Sequence, residues 1–389
     1  MVVVNQLRPH TGFAMFGLWE LAEETTSTNI ALDEEYWLAL RHPAETQTAG
    51  YSLLTSNRPD FAALSDPDKA AMWKEFRAYI RQGEGFYRGA TVLPWKSSPL
   101  NYYYSFLNLA KAAALARGLL KPQPPVEQRL IHHGISAKVV AGNPTAAQDQ
   151  WSMKVRSPTD VFGLLYALSI GTFIAKGTEL EAHGLLRYVS PIQWQMGKSG
   201  YGPCPWCPCS WVLMVNQPTN ESWDLLIFPR QFLVDDMPEA FKAVYQEVAS
   251  TAAQPFAWIA LKMHAVQANS LRFLQRATPV NNPKKIEESI RSTAPYCLHE
   301  SLATTEQHVA LSLPYNMGGN NVPMTEFIAA YGVMYFLSHI VRYNPDYMDR
   351  IGESSDAWLI ESFAKSVPLF LLRYLTREIL GYPLKIISM

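Results

Sequence analysis

Ser97-Ser-Pro-Leu-Asn-Tyr-Tyr-Tyr-Ser-Phe-Leu-Asn-Leu-Ala-Lys-Ala-Ala-Ala-Leu-Ala116 decides the fold class, because its pattern fits a helix that is apolar on almost every side. Ser97 or Ser98 caps it and Pro99 sits in its first turn, where a missing N–H costs nothing. Leu100, Tyr103, Leu107, Ala110 and Ala114 form one broad apolar face, and Phe106, Leu109 and Ala113 cover much of the rest. Through this runs a narrow polar stripe. At 100° per residue, Tyr104, Asn108 and Lys111 fall within roughly 60° of one another. Lys111 is the lone charged side chain between Ser97 and Ala116. A helix this apolar is expected to be buried, and a buried ammonium needs a partner or a ligand.

A second helix mirrors the first. Between Thr325 and Tyr343 the ionisable residues other than tyrosines are Glu326, His339 and Arg342. Tyr335, His339 and Arg342 stand at i, i+4 and i+7 and so share a face. Packed stripe to stripe, the two helices would build a buried cationic pocket. In it Tyr104, Asn108, Lys111, Tyr335 and Arg342 would bind a phosphate-bearing ligand, a nucleotide or an RNA end. His339, or His133 of the His132-His133-Gly134 turn, would be the group able to move a proton. The alternative is a structural network in which backbone carbonyls or carboxylates cap both cations.

Outward from these helices the pattern is mainly α with some β (α+β), a helical bundle carrying a small β-rich insertion. Residues 1–30 are weakly patterned, and 31–180 form an N-terminal helical region. Residues 181–235 form the insertion, and 236–389 a C-terminal helical region that packs on the first. Ser65-Asp-Pro-Asp starts a helix directed toward Tyr87, Val161–Ala175 reads as a buried helix, and Pro368 would kink the last one. Trp211–Val215 and Trp223–Phe228 read as two strands. From Pro238 to about Gln275, and again beyond Pro283, the pattern reads as mostly helical.

Composition bounds the function. The chain has 389 residues, 48% of them hydrophobic and 17% charged, with a net charge of −1. That is an ordered globular protein with no general basic field for nucleic acid, which leaves room for a local patch. No apolar run reaches the 18–20 or so residues that a membrane span needs, and the start lacks a secretory signal pattern. With four cysteines there is no disulfide framework, so the expectation is a cytoplasmic protein, with oligomerisation left open.

Cys204-Pro-Trp-Cys207-Pro-Cys209 has the spacing that lets thiolates share a tetrahedral zinc, and Cys297, near His299, could supply a fourth. A structural zinc in the insertion is one reading; reduced cysteines packed among aromatic rings is the other. Gly197-Lys-Ser199 is not a phosphate loop, since Ile192 stands where that motif needs glycine.

Ser98–Lys111, His133-Gly134-Ile135, Val161-Phe162-Gly163 and Ser338-His-Ile-Val-Arg-Tyr-Asn-Pro345 together resemble the ordered landmarks of the YaaC-like family of bacterial proteins. The resemblance runs from about Tyr36 to the C-terminus. It implies a bacterial setting but no particular reaction, and the cysteine cluster is not part of that pattern. The helix at Tyr103–Lys111 is also similar to the second main helix of HEPN domains, helical bundles of bacterial immunity and toxin systems. That likeness would imply RNA or nucleotide chemistry and a role in stress or phage defence. HEPN nucleases place an Arg and a His four to six residues apart. Here Arg129 is too close to His132 and His133, Arg291 is too far from His299, and His339 precedes Arg342. An RNase of this type would need an unusual pair, with His133 or His339 as base. A non-enzymatic module that docks a protein partner is the remaining rival.

Overall fold

The computed structural model describes residues 32–120, 132–140, 150–201 and 323–381, together with the backbone of short strands elsewhere. The chain divides into two units, one of residues 1–22 and 204–325, the other of 23–203 and 326–389.

The larger unit is mainly helical. Four helices open it: α1 (Leu32–Glu45), α2 (Gln47–Asn57), α3 (Asp66–Thr91) and α4 (Ser98–Ala116). Ser65 caps α3 as its sequence signal requires, its hydroxyl accepting from the Asp68 N–H at 3.3 Å. Further along come α5 (Val161–Ile170), α6 (Ala182–Leu186) and α7 (Gln193–Lys198). The last three are α8 (Glu326–Tyr343), α9 (Pro345–Gly352) and α10 (Ala357–Leu380), the last running on through Pro368. The buried helix expected over Val161–Ala175 stops at Ile170, because Gly171 adopts φ +82° and ends it in a left-handed cap.

Helix α4 is the axis of this unit, with α3, α5, α8 and α10 packed on it. Tyr103, Phe106, Leu109, Ala110 and the run Ala112–Ala116 are all buried. Its C-terminal end is closed from outside the helix. The guanidinium of Arg58, itself 1% exposed, donates to the Leu115 carbonyl at 3.0 Å and the Leu120 carbonyl at 3.1 Å. Gly118 turns the chain there at φ +74°. The orphan carbonyls of a buried helix end thus find a charged donor.

A three-stranded antiparallel sheet, which the sequence reading did not anticipate, lies between the two helical runs. Its strands are β3 (Ile135–Val140), β4 (Gln150–Val155) and β5 (Glu179–Glu181), with Ala137 opposite Met153 and Met153 opposite Leu180. Strand β4 alternates strictly: Trp151, Met153 and Val155 are buried, while Ser152 is half-buried and Lys154 exposed. Near the chain ends, β2 (Glu24–Thr28) pairs in parallel with β13 (Leu384–Ser388).

The smaller unit contains the two strands read from the sequence. They are β6 (Trp206–Val215) and β7 (Trp223–Pro229), antiparallel with Val215 opposite Trp223. The helical expectation beyond Pro238 is corrected at several places. Strands β8 (Tyr245–Val248) and β9 (Phe273–Arg276) join β7, and β10 (Val309–Ser312) and β1 (Met15–Phe16) flank β6. A hairpin of β11 (Tyr315–Met317) and β12 (Asn320–Val322) follows. The helical periodicity yields there to cross-strand pairing, which period counting does not register.

Candidate functional site

The polar stripe of α4 and that of α8 meet. Arg342 Nη1 donates to the Tyr104 hydroxyl at 2.6 Å, which joins one end of each stripe. Tyr335 stands edge-on to Tyr103 with ring centroids 5.3 Å apart, and beyond it His339 lies 6.3 Å from Tyr335 and 4.9 Å from Tyr343. Arg342 also covers the Tyr343 ring at 5.0 Å. Asn108 is buried and spends its amide on the Tyr104 carbonyl one turn back, at 2.8 Å.

Lys111 is half-buried, about 10 Å along the helix axis from Tyr104. Its ammonium lies 5.7 Å from the centre of the Tyr79 ring. It has no ion pair or hydrogen bond among the described residues. Burial pushes its pKa down, opposed by the more distant charge of Glu75, whose carboxylate is held by the Tyr79 hydroxyl at 2.7 Å. Arg342, by contrast, is exposed, so the cationic pair is not buried as a pair: one cation is half sunk and the other stands at the rim.

Both cations act electrostatically on His133. Its backbone is fixed by α5: the His132 and His133 carbonyls accept from the Val161 and Phe162 N–H groups at 3.2 and 3.1 Å, donors that a helix start leaves orphaned. Gly134 follows at φ +78°, with Asp160 so near that a Cβ would stand 2.7 Å from its side chain. This is the physical reason for glycine after the histidine pair. The His133 ring is half-buried and its Nδ1 lies 2.6 Å from the Tyr103 hydroxyl. Burial lowers its pKa, and the charges of Lys111 and Arg342 lower it further, with His132 adding to them and Asp160 opposing. Both cations therefore act on one imidazole. Burial also lowers His339.

Tyr103 is a member of this site that the sequence reading assigned to the apolar face. It is buried and stands 5.8 Å from the wholly buried Tyr331, and burial raises its pKa well above that of a free phenol. Burial pushes Tyr335 up to about 12.

A second polar cluster carried no sequence signal. His183 is stacked between Trp151 (3.8 Å) and Tyr201 (5.7 Å) and flanked by two carboxylates. Its Nδ1 is 3.1 Å from Glu181 and its Nε2 is 3.8 Å from Asp356. Glu181 also caps α6 through the His183 and Gly184 N–H groups, and Tyr201 donates to Asp356 at 2.7 Å. Burial opposes the charged ring, but the neighbouring carboxylates of Asp356 and Glu181 prevail and raise the His183 pKa.

Of the cysteine cluster, Cys207 and Cys209 fall in β6, opposite Leu311 and Val309. Cys204 and Cys297 lie outside the described residues. Among the described residues no three His, Cys, Asp or Glu side chains are grouped to hold a metal ion. No described helix is long and apolar enough to cross a membrane.

The model of the YaaC-like protein family matches residues 43–379, most of the chain, a span that takes in α4, His133 and α8. The chain belongs to the YaaC-like family. No curated protein and no solved structure matches it. The likeness of α4 to HEPN domains therefore rests on its sequence alone.

Proposed function

We propose that this YaaC-like protein binds a phosphate-bearing ligand, a nucleotide or an RNA end, at the cluster of Tyr104, Lys111, His133 and Arg342. The observation that carries this reading is the state of Lys111. A half-buried ammonium on an otherwise apolar helix, with no carboxylate in ion-pair reach among the described residues, is destabilised by its own desolvation. An anion would supply the missing partner, and exposed Arg342 would give it a second contact at the rim. Tyr343 and Phe86, both exposed, stand beside this rim and offer ring faces on which a base could stack.

Native mass spectrometry of gently purified protein tests the reading, against a Lys111→Met/Arg342→Met double variant. A co-purifying mass of nucleotide or oligonucleotide size, lost in the double variant, supports it. A ligand retained equally by both would refute it. The rival reading, a module that docks a protein partner, draws on Trp194 and Trp358, 65% and 41% exposed and in edge contact at 5.3 Å. An empty chain that arrives bound to another polypeptide would favour that rival.

A further inference from the structure

We infer that His183 is a proton-operated latch: as an imidazolium it holds the Asp356 corner ahead of α10 to the Glu181 end of β5, and on losing its proton it releases that corner. This latch is independent of the anion-binding reading, since none of its residues belongs to the α4–His133–α8 cluster.

Both nitrogens of the ring face a carboxylate. Nδ1 is 3.1 Å from Glu181 Oε1, and Nε2 is 3.8 Å from Asp356 Oδ2, inside ion-pair range but beyond a hydrogen bond. Both carboxylates are already acceptors. Glu181 takes the backbone N–H groups of His183 and Gly184, one on each oxygen, and Asp356 Oδ1 takes the Tyr201 hydroxyl proton at 2.7 Å. A neutral imidazole carries one N–H and one lone pair. With the proton on Nδ1, the lone pair of Nε2 faces Asp356; with it on Nε2, the lone pair of Nδ1 faces Glu181. Either neutral form sets a lone pair against an anionic oxygen, and only the doubly protonated ring suits both ends.

Burial gives that choice its weight. The His183 and Asp356 side chains are 12% and 3% exposed, and no other cation lies within ion-pair range of Asp356 among the described residues. Nε2 and Asp356 Oδ2 have no hydrogen-bond partner among those residues, so a neutral ring leaves a buried carboxylate uncompensated. The other groups around the ring supply no charge. Tyr201, beyond α7, stacks on it and keeps its proton through burial. Trp151 of β4 stacks on it at 3.8 Å, backed by Tyr347 of α9 and Phe336 of α8. An indole face favours a cation over a neutral ring. Burial alone would drive the proton off; the carboxylates outweigh it, and both stay below their ordinary range. The latch is therefore closed at pH 6.5 and opens as pH rises through the raised pKa of the ring.

The corner it holds carries surface chemistry. The Asp356 carbonyl accepts the Ile360 N–H at 2.9 Å in the first turn of α10. Trp358, in the same turn, meets Trp194 of α7 at 5.3 Å. Opening loosens the seat of this exposed pair, leaving the Asp356 side chain held by the Tyr201 hydroxyl alone among the described residues.

Two readouts on the full chain test the latch. Histidine labelled with 13C at Cε1 is titrated by NMR, with His183→Gln assigning the signal. Hydrogen exchange of residues 354–366, corrected for the intrinsic effect of pH, is read by mass spectrometry over the same range, with α4 as internal reference. The His183 midpoint is expected above 6.5, and exchange at 354–366 should rise roughly tenfold through that midpoint while α4 stays level. Asp356→Asn, which keeps the shape and an oxygen for Tyr201, should lower the midpoint and abolish the step. His183→Gln should exchange at the fast level at every pH.

A midpoint at or below 6.5 overturns the inference. So does a midpoint that Asp356→Asn leaves in place, or exchange at 354–366 that shows no step relative to α4. If His183→Gln fails to fold, the exchange step and its loss in Asp356→Asn decide the matter without an assigned signal.

Discussion

Arg58→Met is the substitution whose cost the structure states most directly. Methionine preserves most of the side chain's volume, and removes the bonds from Nη1 to the Leu115 and Leu120 carbonyls along with the weak one to the Met72 sulfur. A buried hydrogen bond from a charged donor is worth about 1.5–3 kcal/mol. The Leu115 carbonyl keeps a second donor, the Gly118 N–H at 3.2 Å, so its loss falls at the low end. The Leu120 carbonyl has no such reserve among the described residues. Together the expected loss is about 3 kcal/mol, concentrated at the end of α4. The ion pair to Asp60 contributes little of this, because the Asp60 side chain is 59% exposed and water replaces its partner. Asp60→Asn should therefore cost less than about 1 kcal/mol. Hydrogen exchange of the segment 98–120, read by mass spectrometry, isolates the effect from the rest of the chain. Arg58→Met should speed exchange there about a hundredfold. Exchange within threefold of wild type, or an Asp60→Asn variant as damaged as Arg58→Met, would refute the reasoning.

Gly163→Ala should be destabilising even though alanine is the better helix former, because its Cβ would stand 2.7 Å from the Pro158 Cα and closer still to that residue's carbonyl. A melting-temperature loss matching about 1–3 kcal/mol or more is expected, whereas Gly332→Ala meets only the flexible end of Leu185 at 3.1 Å and should stay within about 1 kcal/mol of wild type. His183 has a raised pKa, so its stabilisation is fully present below its ordinary value of 6.5 and is lost as pH rises through the raised one. His183→Gln should remove that alkaline decline from a plot of melting temperature against pH. His133 has the opposite sign: its pKa is lowered, so stability falls as pH drops below 6.5 toward the folded-state value, and His133→Gln should flatten that acid limb. Tyr104→Phe leaves the Arg342 guanidinium without its 2.6 Å contact at an exposed position, so it should change stability by under about 0.5 kcal/mol while weakening retention of the ligand.

Much of the larger unit could be read from residues alone, since long apolar helices with clean boundaries leave few choices. Ser65 before Asp-Pro-Asp, Pro99 in the first turn of α4 and Asn344-Pro345 after α8 each mark a boundary the structure respects. The two stripes were legible because a lone Lys or Arg on an apolar helix stands out at helical spacing. Tyr103 was not, because a tyrosine on an apolar face looks the same whether or not its hydroxyl meets a histidine 30 residues away. Strand β4 was legible in principle, as Trp151, Met153 and Val155 alternate with polar residues, but six residues are a weak signal. The Glu181–His183–Asp356 cluster was beyond reach, for Asp356 lies far along the chain and the Trp151 wall is set by tertiary contacts of β4 with Phe336 of α8 and Tyr347 of α9. In the smaller unit the sequence pattern suggested helices where short strands pair, since pairing partners such as Leu226 and Gln275 are distant in sequence.

The parallel pairing of β2 with β13 also has a consequence for how the protein is made. Leu384 lies opposite Glu24 and Ser388 opposite Thr28. At a synthesis rate of 5–20 residues per second, the ribosome needs roughly 20–70 s to make the intervening chain of about 360 residues. Throughout that interval the first strand has emerged without its partner, while the helices between them are already able to condense. Until the second strand of the pair is translated, the nascent chain carries an unpaired strand edge of the kind that chaperones shield.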